Sequence, residues 1–299
     1  MIQNSQGFSI FSGAVSSLFH KKLSILLLIL LLSTACTIQH RSESWRMQYS
    51  YLEQPIPKKP AFRESDYYVV FLVAASHLNY NDNRELFRSI EALNSPLKKG
   101  PMGHSWIYLK GQRNGKPVVF HGGQSVRSSM ARPWYFDGVI HYMEYGYLNP
   151  TDQQKKNPRY EPNPIKYLWA ELDVGLFQKG SGGLSPTYAA KVDLSKSQFE
   201  EILAFTDPRV YPYTSFSLVN NQCSSFLARI ALMAGLPLEH QVTVKIAPVL
   251  RAGSREYRLW TDPRYSKITL SSPDIIEHSL MNAVREGKAQ YALEWYMNR

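Results

Sequence analysis

The spacing of apolar residues along the chain predicts both strands and helices. Residues 67–74 form a continuous run of aromatic and β-branched side chains, which is typical of a buried strand. Residues 105–110 and 117–121 flank a polar segment that contains Asn114-Gly115, a pair that favours a tight hairpin turn. Residues 188–194 predict a further strand. The hairpin indicates that at least part of the sheet is antiparallel.

Other segments show helical periodicity. Apolar side chains recur every three or four positions in 83–93 and 223–234, so each predicted helix has one apolar face. A shorter helix is predicted over 197–205, after a serine cap. The Ser-Pro-Asp sequence at 272–274 is a start signal for a helix that ends near residue 285, and a second short helix is expected after it.

One long segment fits neither pattern. Residues 126–166 are rich in aromatic residues, proline and asparagine and show no sustained period. A stretch of this length without periodicity is longer than most loops in a folded domain. We interpret it as an excursion over the fold that forms a lid or a groove wall.

The first 36 residues have the organisation of an export signal. Lys21 and Lys22 precede an apolar core over 23–32, and small residues at 33–35 lead to Cys36. The core is too short to span a bilayer, which takes about 20 residues. Small residues that end in Ala directly before Cys resemble a lipobox, so Cys36 is expected to carry a lipid and to become the mature N-terminus.

Two other outcomes remain open for this segment. Ser33 stands where Leu is commoner in a lipobox, so ordinary signal cleavage and an uncleaved anchor are both alternatives. Thr37, rather than Asp, follows the cysteine, which resembles sorting to the outer membrane. The polar, proline-containing residues 37–64 read as a tether. The prediction is a lipid-anchored outer-membrane protein that faces the periplasm, with the membrane as a partner through Cys36.

The charge of the chain narrows the possible partners. The formal net charge is +10, which suits anionic lipid headgroups or cell-envelope polymers. The basic residues are scattered, and no nucleic-acid-binding motif is present, so we expect no nucleic-acid partner.

Cys223 occupies a position that suits a nucleophile. Asn220 and Asn221 are good N-cap residues, which places Cys223 in the first turn of the predicted helix over 223–234. The free N–H groups and the helix dipole there favour a thiolate and can stabilise an oxyanion. Cys223 also lies on the apolar stripe, where a cysteine is commonly only a small core residue.

Two histidines bracket the predicted hairpin. His104 opens its first strand and His121 ends its second, so a turn between 113 and 116 brings the two strand ends together. A base and its orienting partner can then stand side by side, as nucleophilic catalysis requires. Pairing through Asn114-Gly115 sets His104 nearer Gln124 or Ser125, which makes Gln124 an alternative orienting residue.

These segments resemble a known family. HSWIYLKG at 104–111 and VVFHGG at 118–123 resemble the hairpin His–x–x–Ile–Tyr–Leu–Gly…Phe–Val–His–Ala of the NlpC-type papain-like cell-wall peptidases. NNQCSSF at 220–226, followed by an apolar helix and AGLPL, resembles their nucleophile segment. In that family the cysteine precedes both histidines. The reverse order here is similar to the circularly permuted branch, which includes lecithin:retinol acyltransferase-like proteins and bacterial lipoproteins.

The resemblance, which covers roughly 65–240, carries specific expectations. It implies that Cys223 is the nucleophile, His104 the general base and His121 the residue that orients it. It also implies an α+β, permuted papain-like fold in which the nucleophile helix packs on an antiparallel sheet. We therefore expect a papain-like domain over 65–250 with an insertion over 126–166, and a helical C-terminal extension over 251–299.

Three functions are compatible with these residues. The first is a thiol hydrolase or acyltransferase that acts on amide bonds such as those of peptidoglycan peptides. The second is an acyltransferase, thioesterase or lipase that acts on membrane or lipoprotein acyl groups, and the third is a non-catalytic envelope binding module. His104, His121 and Cys223 are zinc ligand types, but no close ligand pair such as CxxC or HExxH is present, so we expect no metal and no cofactor.

Overall fold

An antiparallel sheet lies at the centre of the fold. The computed structural model describes residues 54–93, 102–127, 163–252 and 254–299, and within them this sheet has six strands. In spatial order the strands are β10 (Gln290–Tyr291), β5 (Tyr188–Asp193), β1 (Tyr68–Ala74), β2 (His104–Arg113), β3 (Lys116–Val126) and β4 (Gly175–Lys179). All neighbouring pairs are antiparallel. The predicted α+β class with an antiparallel sheet is confirmed at this level.

Short ribbons and helices surround the sheet. Two ribbons pair β6 (Gln241–Lys245) with β9 (Lys267–Ser271) and β7 (Val249–Ala252) with β8 (Arg255–Arg258). The helices are α1 (Asn83–Leu93), α2 (Lys196–Phe205), α3 (Cys223–Met233), α4 (Pro273–Arg285) and α5 (Leu293–Asn298). Short 3-10 helices occupy Pro164–Trp169 and Pro263–Tyr265.

Both faces of the sheet are covered, which explains the continuous apolar run of β1. Every residue of β1 is buried. Its odd-numbered side chains, such as Phe71, pack with Phe226 of α3 and Leu280 of α4 on what we call the helix face. Its even-numbered side chains pack with Trp106 and Tyr296 on the opposite, aromatic face. Because successive side chains of a strand point to opposite sides, this assignment extends to the neighbouring strands.

The hairpin between β2 and β3 forms as predicted. Asn114 and Gly115 have φ angles of 52° and 72°, the left-handed values that a two-residue type I′ turn requires. Arg113 lies opposite Lys116, and this pair sets the register of the remaining residues.

The C-terminal region differs from the prediction. Strand β7 continues to Ala252, so the expected domain boundary at 250 falls inside a strand. The helical extension predicted over 251–299 also contributes β9 and β10, and β10 belongs to the central sheet. Ile276 and Leu280 of α4 are fully buried in the helix-face core. Strands of only two to five residues have too few alternating apolar and polar positions to be recognised in a sequence.

The predicted tether over 37–64 is also shorter than expected. Its part before residue 54 lies outside the described residues, whereas the rest packs on the domain. The N–H of Tyr291 donates to the carbonyl of Pro60 at 2.7 Å. The ring of Phe62 stacks on Trp295 with centroids 4.2 Å apart. Strand β10 is at the edge of the sheet, so the carbonyl of Pro60 satisfies an N–H group that no neighbouring strand could bind.

Two predicted segments fall beyond what the structure describes. The export signal over 1–36, with Cys36, lies outside the described residues, as do residues 128–162 of the insertion predicted over 126–166. Among the helices that are described, none combines the length and the apolar character needed to cross a bilayer.

Candidate active site around Cys223

Helix α3 begins at Cys223, as predicted, and Gln222 is its N-cap. Gln222 Oε1 accepts a hydrogen bond from the N–H of Ser224, and the N–H of Gln222 donates to Ser225 Oγ at 2.8 Å. These reciprocal bonds form a capping box. Gln222 Nε2 also donates to the carbonyl of Ser271. The helix start is therefore tied to the end of β9.

The prediction that Asn220 or Asn221 caps the helix is wrong. Tyr211 Oη donates to Asn221 Oδ1 at 2.6 Å, and Asn221 Nδ2 donates to the carbonyl of Ser215 at 2.9 Å. The side chain of Asn221 is thus used to fold the loop before the helix. Asn220 lies one residue farther away, and its carbonyl accepts from Arg229. A sequence pattern favours asparagine as a cap but does not show where the helical turn starts.

The Cys223 thiol lies where the pairing of β2 and β3 ends. The register of these strands stops at Ile107 opposite Gly122, so Ser105 lies beyond the last pair. Backbone N–H and hydroxyl donors of Ser105 and Ser224 favour negative charge on the Cys223 sulfur, and Ser224 Oγ lies 3.9 Å from it. Such N–H groups stabilise negative charge on a sulfur or on an oxyanion beside it.

Burial nevertheless works against ionisation of this thiol. Cys223 is only 8% exposed, and its thiol donates to Gln222 Oε1 at 3.4 Å. Burial raises the pKa of the Cys223 thiol, and the donors on Ser105 and Ser224 only partly oppose this. The helix start favours a thiolate, as expected, but in this structure desolvation disfavours the charged form more than the donors favour it.

His104 lies directly before Ser105 but points away from the thiol. Its ring stacks on Trp106 with centroids 5.5 Å apart, so it belongs to the aromatic face, whereas Ser105 Oγ approaches Ser224 Oγ of α3 on the helix face. In the described part of the chain, His104 Nε2 is buried without a hydrogen-bond partner. Burial lowers the pKa of His104 to about 4. The structure therefore does not place His104, the expected general base, beside the Cys223 thiol.

His121 does not lie beside His104. The register places His121 opposite Tyr108, four residues along β2 from His104, or about 13 Å. His121 Nε2 lies 3.0 Å from Tyr296 Oη of α5. Burial, with a smaller contribution from the positive charge of Arg299, lowers the pKa of His121 to about 4. The structure therefore does not bring the two histidines together.

Gln124 lies on the side of the sheet where the thiol is found. Gln124 pairs with Phe177 of β4, whose ring packs on Tyr213 of the helix-face core, and this assigns Gln124 to the helix face. Its Nε2 donates to the carbonyls of Tyr213 and Ser215 at 3.1 and 2.7 Å. Because His104 is on the other face, Gln124 does not orient it in this structure.

A histidine that the sequence did not single out has an acidic partner. His77 Nε2 lies 2.7 Å from Glu277 Oε2 of α4, and this hydrogen bond raises the pKa of His77. Asp274, also on α4, accepts from the backbone N–H groups of Ser76 and His77. The signal in the sequence was an acidic residue, Glu277, on the apolar face of the helix. Its partner is 200 positions away, and spacing could not reveal it.

Comparison with known proteins adds no assignment. No family model matches the chain, and neither a curated protein nor a solved structure matches it.

Proposed function

We propose that the domain is a thiol hydrolase or acyltransferase that uses Cys223 and acts on amide bonds such as those of peptidoglycan peptides. The observation that carries the proposal is the position of one sulfur at a helix start, beside Ser224 Oγ, where N–H and hydroxyl donors of Ser105 and Ser224 favour its charged form. A thiol in this position can attack a carbonyl carbon while the same N–H groups hold the oxyanion. A cysteine that only filled space would need neither donor.

His104 is the base of the proposed reaction. Its Nε2 has no partner among the described residues and is neutral at physiological pH, so it can accept a proton. To reach the thiol, the imidazole must leave the Trp106 ring and turn around the start of β2. The thiol proton then moves to the imidazole, and the sulfur bonds to the carbonyl carbon. The C–N bond breaks as the imidazolium protonates the leaving amine, and water or another acceptor resolves the thioester.

The proposal assigns no chemical step to His121. Its Nε2 is engaged by Tyr296, and the register separates it from His104. The proposed reaction needs no metal or cofactor.

We also propose a protein family and a cellular location for this chain. The segments around His104 and Cys223 support the circularly permuted, NlpC-type papain-like family, and the apolar run before Cys36 supports a lipid anchor on the outer membrane, facing the periplasm. Mass spectrometry of the mature N-terminus tests the anchor. A diacylglyceryl group on Cys36 is expected, and an unmodified N-terminus elsewhere would contradict it.

A non-catalytic envelope binding module is a second candidate function. The observation that favours it is the separation of thiol and imidazole on opposite faces of the sheet, together with the raised pKa of Cys223. A further alternative is an enzyme that transfers or hydrolyses membrane or lipoprotein acyl groups. It would use the same Cys223 thiol and would differ from the main proposal only in its substrate.

The deciding experiment compares substrates on the full chain extracted in detergent. The protein is incubated in parallel with muropeptides and with phosphatidylethanolamine/phosphatidylglycerol vesicles, and products are identified by mass spectrometry. We expect new amine groups from muropeptides, lost in Cys223→Ala and kept in Leu232→Ala, an exposed position on the same helix. Release of fatty acids alone would support the acyl-group alternative. Absence of turnover with both substrates would support the binding module.

A further inference from the structure

The amide of Gln124 is held in one orientation. Its Nε2 donates to two backbone carbonyls, those of Tyr213 and Ser215, at 3.1 and 2.7 Å. An amide flipped the other way would set its oxygen against both of these acceptors, so the nitrogen and oxygen positions are determined by their partners.

The carbonyls that hold this amide are themselves fixed. Ser215 O also accepts from Asn221 Nδ2 at 2.9 Å, and Asn221 is bound by Tyr211 Oη. Gly175 allows the close approach, because a Cβ there would lie 2.3 Å from the carbonyl oxygen of Tyr213 and 2.8 Å from Gln124 Nε2. The orientation of Gln124 is therefore built into the loop that leads to Cys223.

The oxygen of the same amide is left without a donor. Gln124 is fully buried, and within the described ranges no group donates to its Oε1. A buried polar atom without a hydrogen bond destabilises a folded protein, so most proteins avoid one. An acceptor held in place in this way is suited to a donor that arrives with a ligand.

The position of Gln124 connects this acceptor with the thiol. Gln124 binds the carbonyl of Ser215 in the loop that leads to Cys223, and donors of Ser105 favour negative charge on the Cys223 sulfur. Ser105 Oγ also approaches Ser224 Oγ at 3.4 Å, so the three polar residues share the helix face at one end of the sheet. The thiol and the acceptor are both buried, so a substrate reaches them only when the two are uncovered together.

We infer that Gln124 Oε1 accepts a hydrogen bond from the N–H of the amide that Cys223 attacks, and that the site therefore selects secondary amides over esters and thioesters. The inference rests on the proposed function of Cys223 and specifies its substrate class. An amide supplies the missing donor, whereas an ester offers only oxygen and leaves Oε1 unpaired. Sites that hydrogen-bond a substrate N–H discriminate strongly against analogues without one.

Two small alkylating reagents test the inference without knowledge of the natural substrate. N-methyliodoacetamide and methyl iodoacetate differ only in an N–H in place of an ester oxygen. The rate of alkylation of Cys223 by each is measured by peptide mass spectrometry on the full chain and divided by its rate with glutathione. We expect the wild-type protein to favour the amide reagent by about tenfold after this correction.

Two variants test whether Gln124 causes the preference for the amide reagent. Gln124→Met removes the acceptor and should abolish the preference, while the ester reagent reports any general change in the exposure of Cys223. Gln124→Glu, which is protonated when buried, keeps an O–H donor and a C=O acceptor and should retain much of the preference. Equal corrected rates in the wild-type protein, or a preference that survives in Gln124→Met, would overturn the inference. Failure of both reagents to modify Cys223 would instead overturn the proposed function.

Discussion

His121 Nε2 lies 3.0 Å from the hydroxyl of Tyr296, and this contact joins the second strand of the hairpin to the last helix of the chain. The same hydroxyl accepts from Trp106 Nε1 at 3.3 Å. The Arg299 guanidinium lies 3.6 Å from the centroid of the Tyr296 ring. A histidine that the family resemblance assigns to catalysis thus lies in an aromatic contact that holds α5 on the sheet.

The first prediction concerns this contact. Tyr296→Phe removes the hydroxyl shared by His121 and Trp106, so we expect a loss of about 1 kcal/mol in the free energy of unfolding. Chemical denaturation measures the loss. Met297→Ala, at an exposed position of the same helix, is the control and should leave stability nearly unchanged. A decrease in Cys223 alkylation in Tyr296→Phe, with stability unchanged, would show that the contact serves the thiol instead.

The second prediction concerns the protonation of Cys223. Because burial raises the pKa of this thiol, the resting protein should hold little thiolate below pH 9. The rate of alkylation by iodoacetamide should therefore increase steadily from pH 7 to pH 9, as measured by peptide mass spectrometry. A fast rate that is already constant near pH 6 would show a preformed thiolate and would contradict the raised pKa.

The third prediction concerns the pH dependence of stability. Folding lowers the pKa of His104 from 6.5 to about 4, so the unfolded chain binds more protons between these values. The contribution of His104 to the free energy of unfolding is therefore fully present above pH 6.5, and it is lost as the pH falls to about 4. The loss is on the order of 3 kcal/mol for this buried group.

The substitution His104→Gln should weaken the dependence of the free energy of unfolding on pH, as measured by urea denaturation between pH 4 and 7. His121 contributes in the same direction, since its pKa is also lowered to about 4. His77 acts in the opposite direction, because its raised pKa gives stability that is present below pH 6.5 and lost as pH rises. Identical pH slopes in wild type and His104→Gln would show that His104 is solvated in solution.

The fourth prediction separates the observed cap of α3 from the one expected. Gln222→Ala removes the side-chain bonds to Ser224 N–H and to the carbonyl of Ser271, so it should destabilise the protein by about 1–2 kcal/mol. Asn220→Ala should cost less, because the Asn220 contacts described here are made by its backbone. Thermal unfolding of the two variants measures the difference. A larger effect at Asn220 would contradict the capping assignment.

The sequence by itself determined the local elements of this protein. The apolar run of β1, the Asn114-Gly115 turn and the stripe of α3 each depend on neighbours within about ten positions, where side-chain periodicity and turn stereochemistry act. The start of α3 at Cys223 was predictable for the same reason. Its cap was not, since Gln222 is fixed by a bond to Ser271, far along the chain.

Only the tertiary structure decided which polar groups meet. The register through Arg113 and Lys116 sets His121 opposite Tyr108, and strand parity turns His104 away from the face on which α3 carries Cys223. The same packing raises the pKa of the thiol by burial. Burial, face and long-range pairing depend on how distant segments pack, so no local pattern in the sequence specifies them.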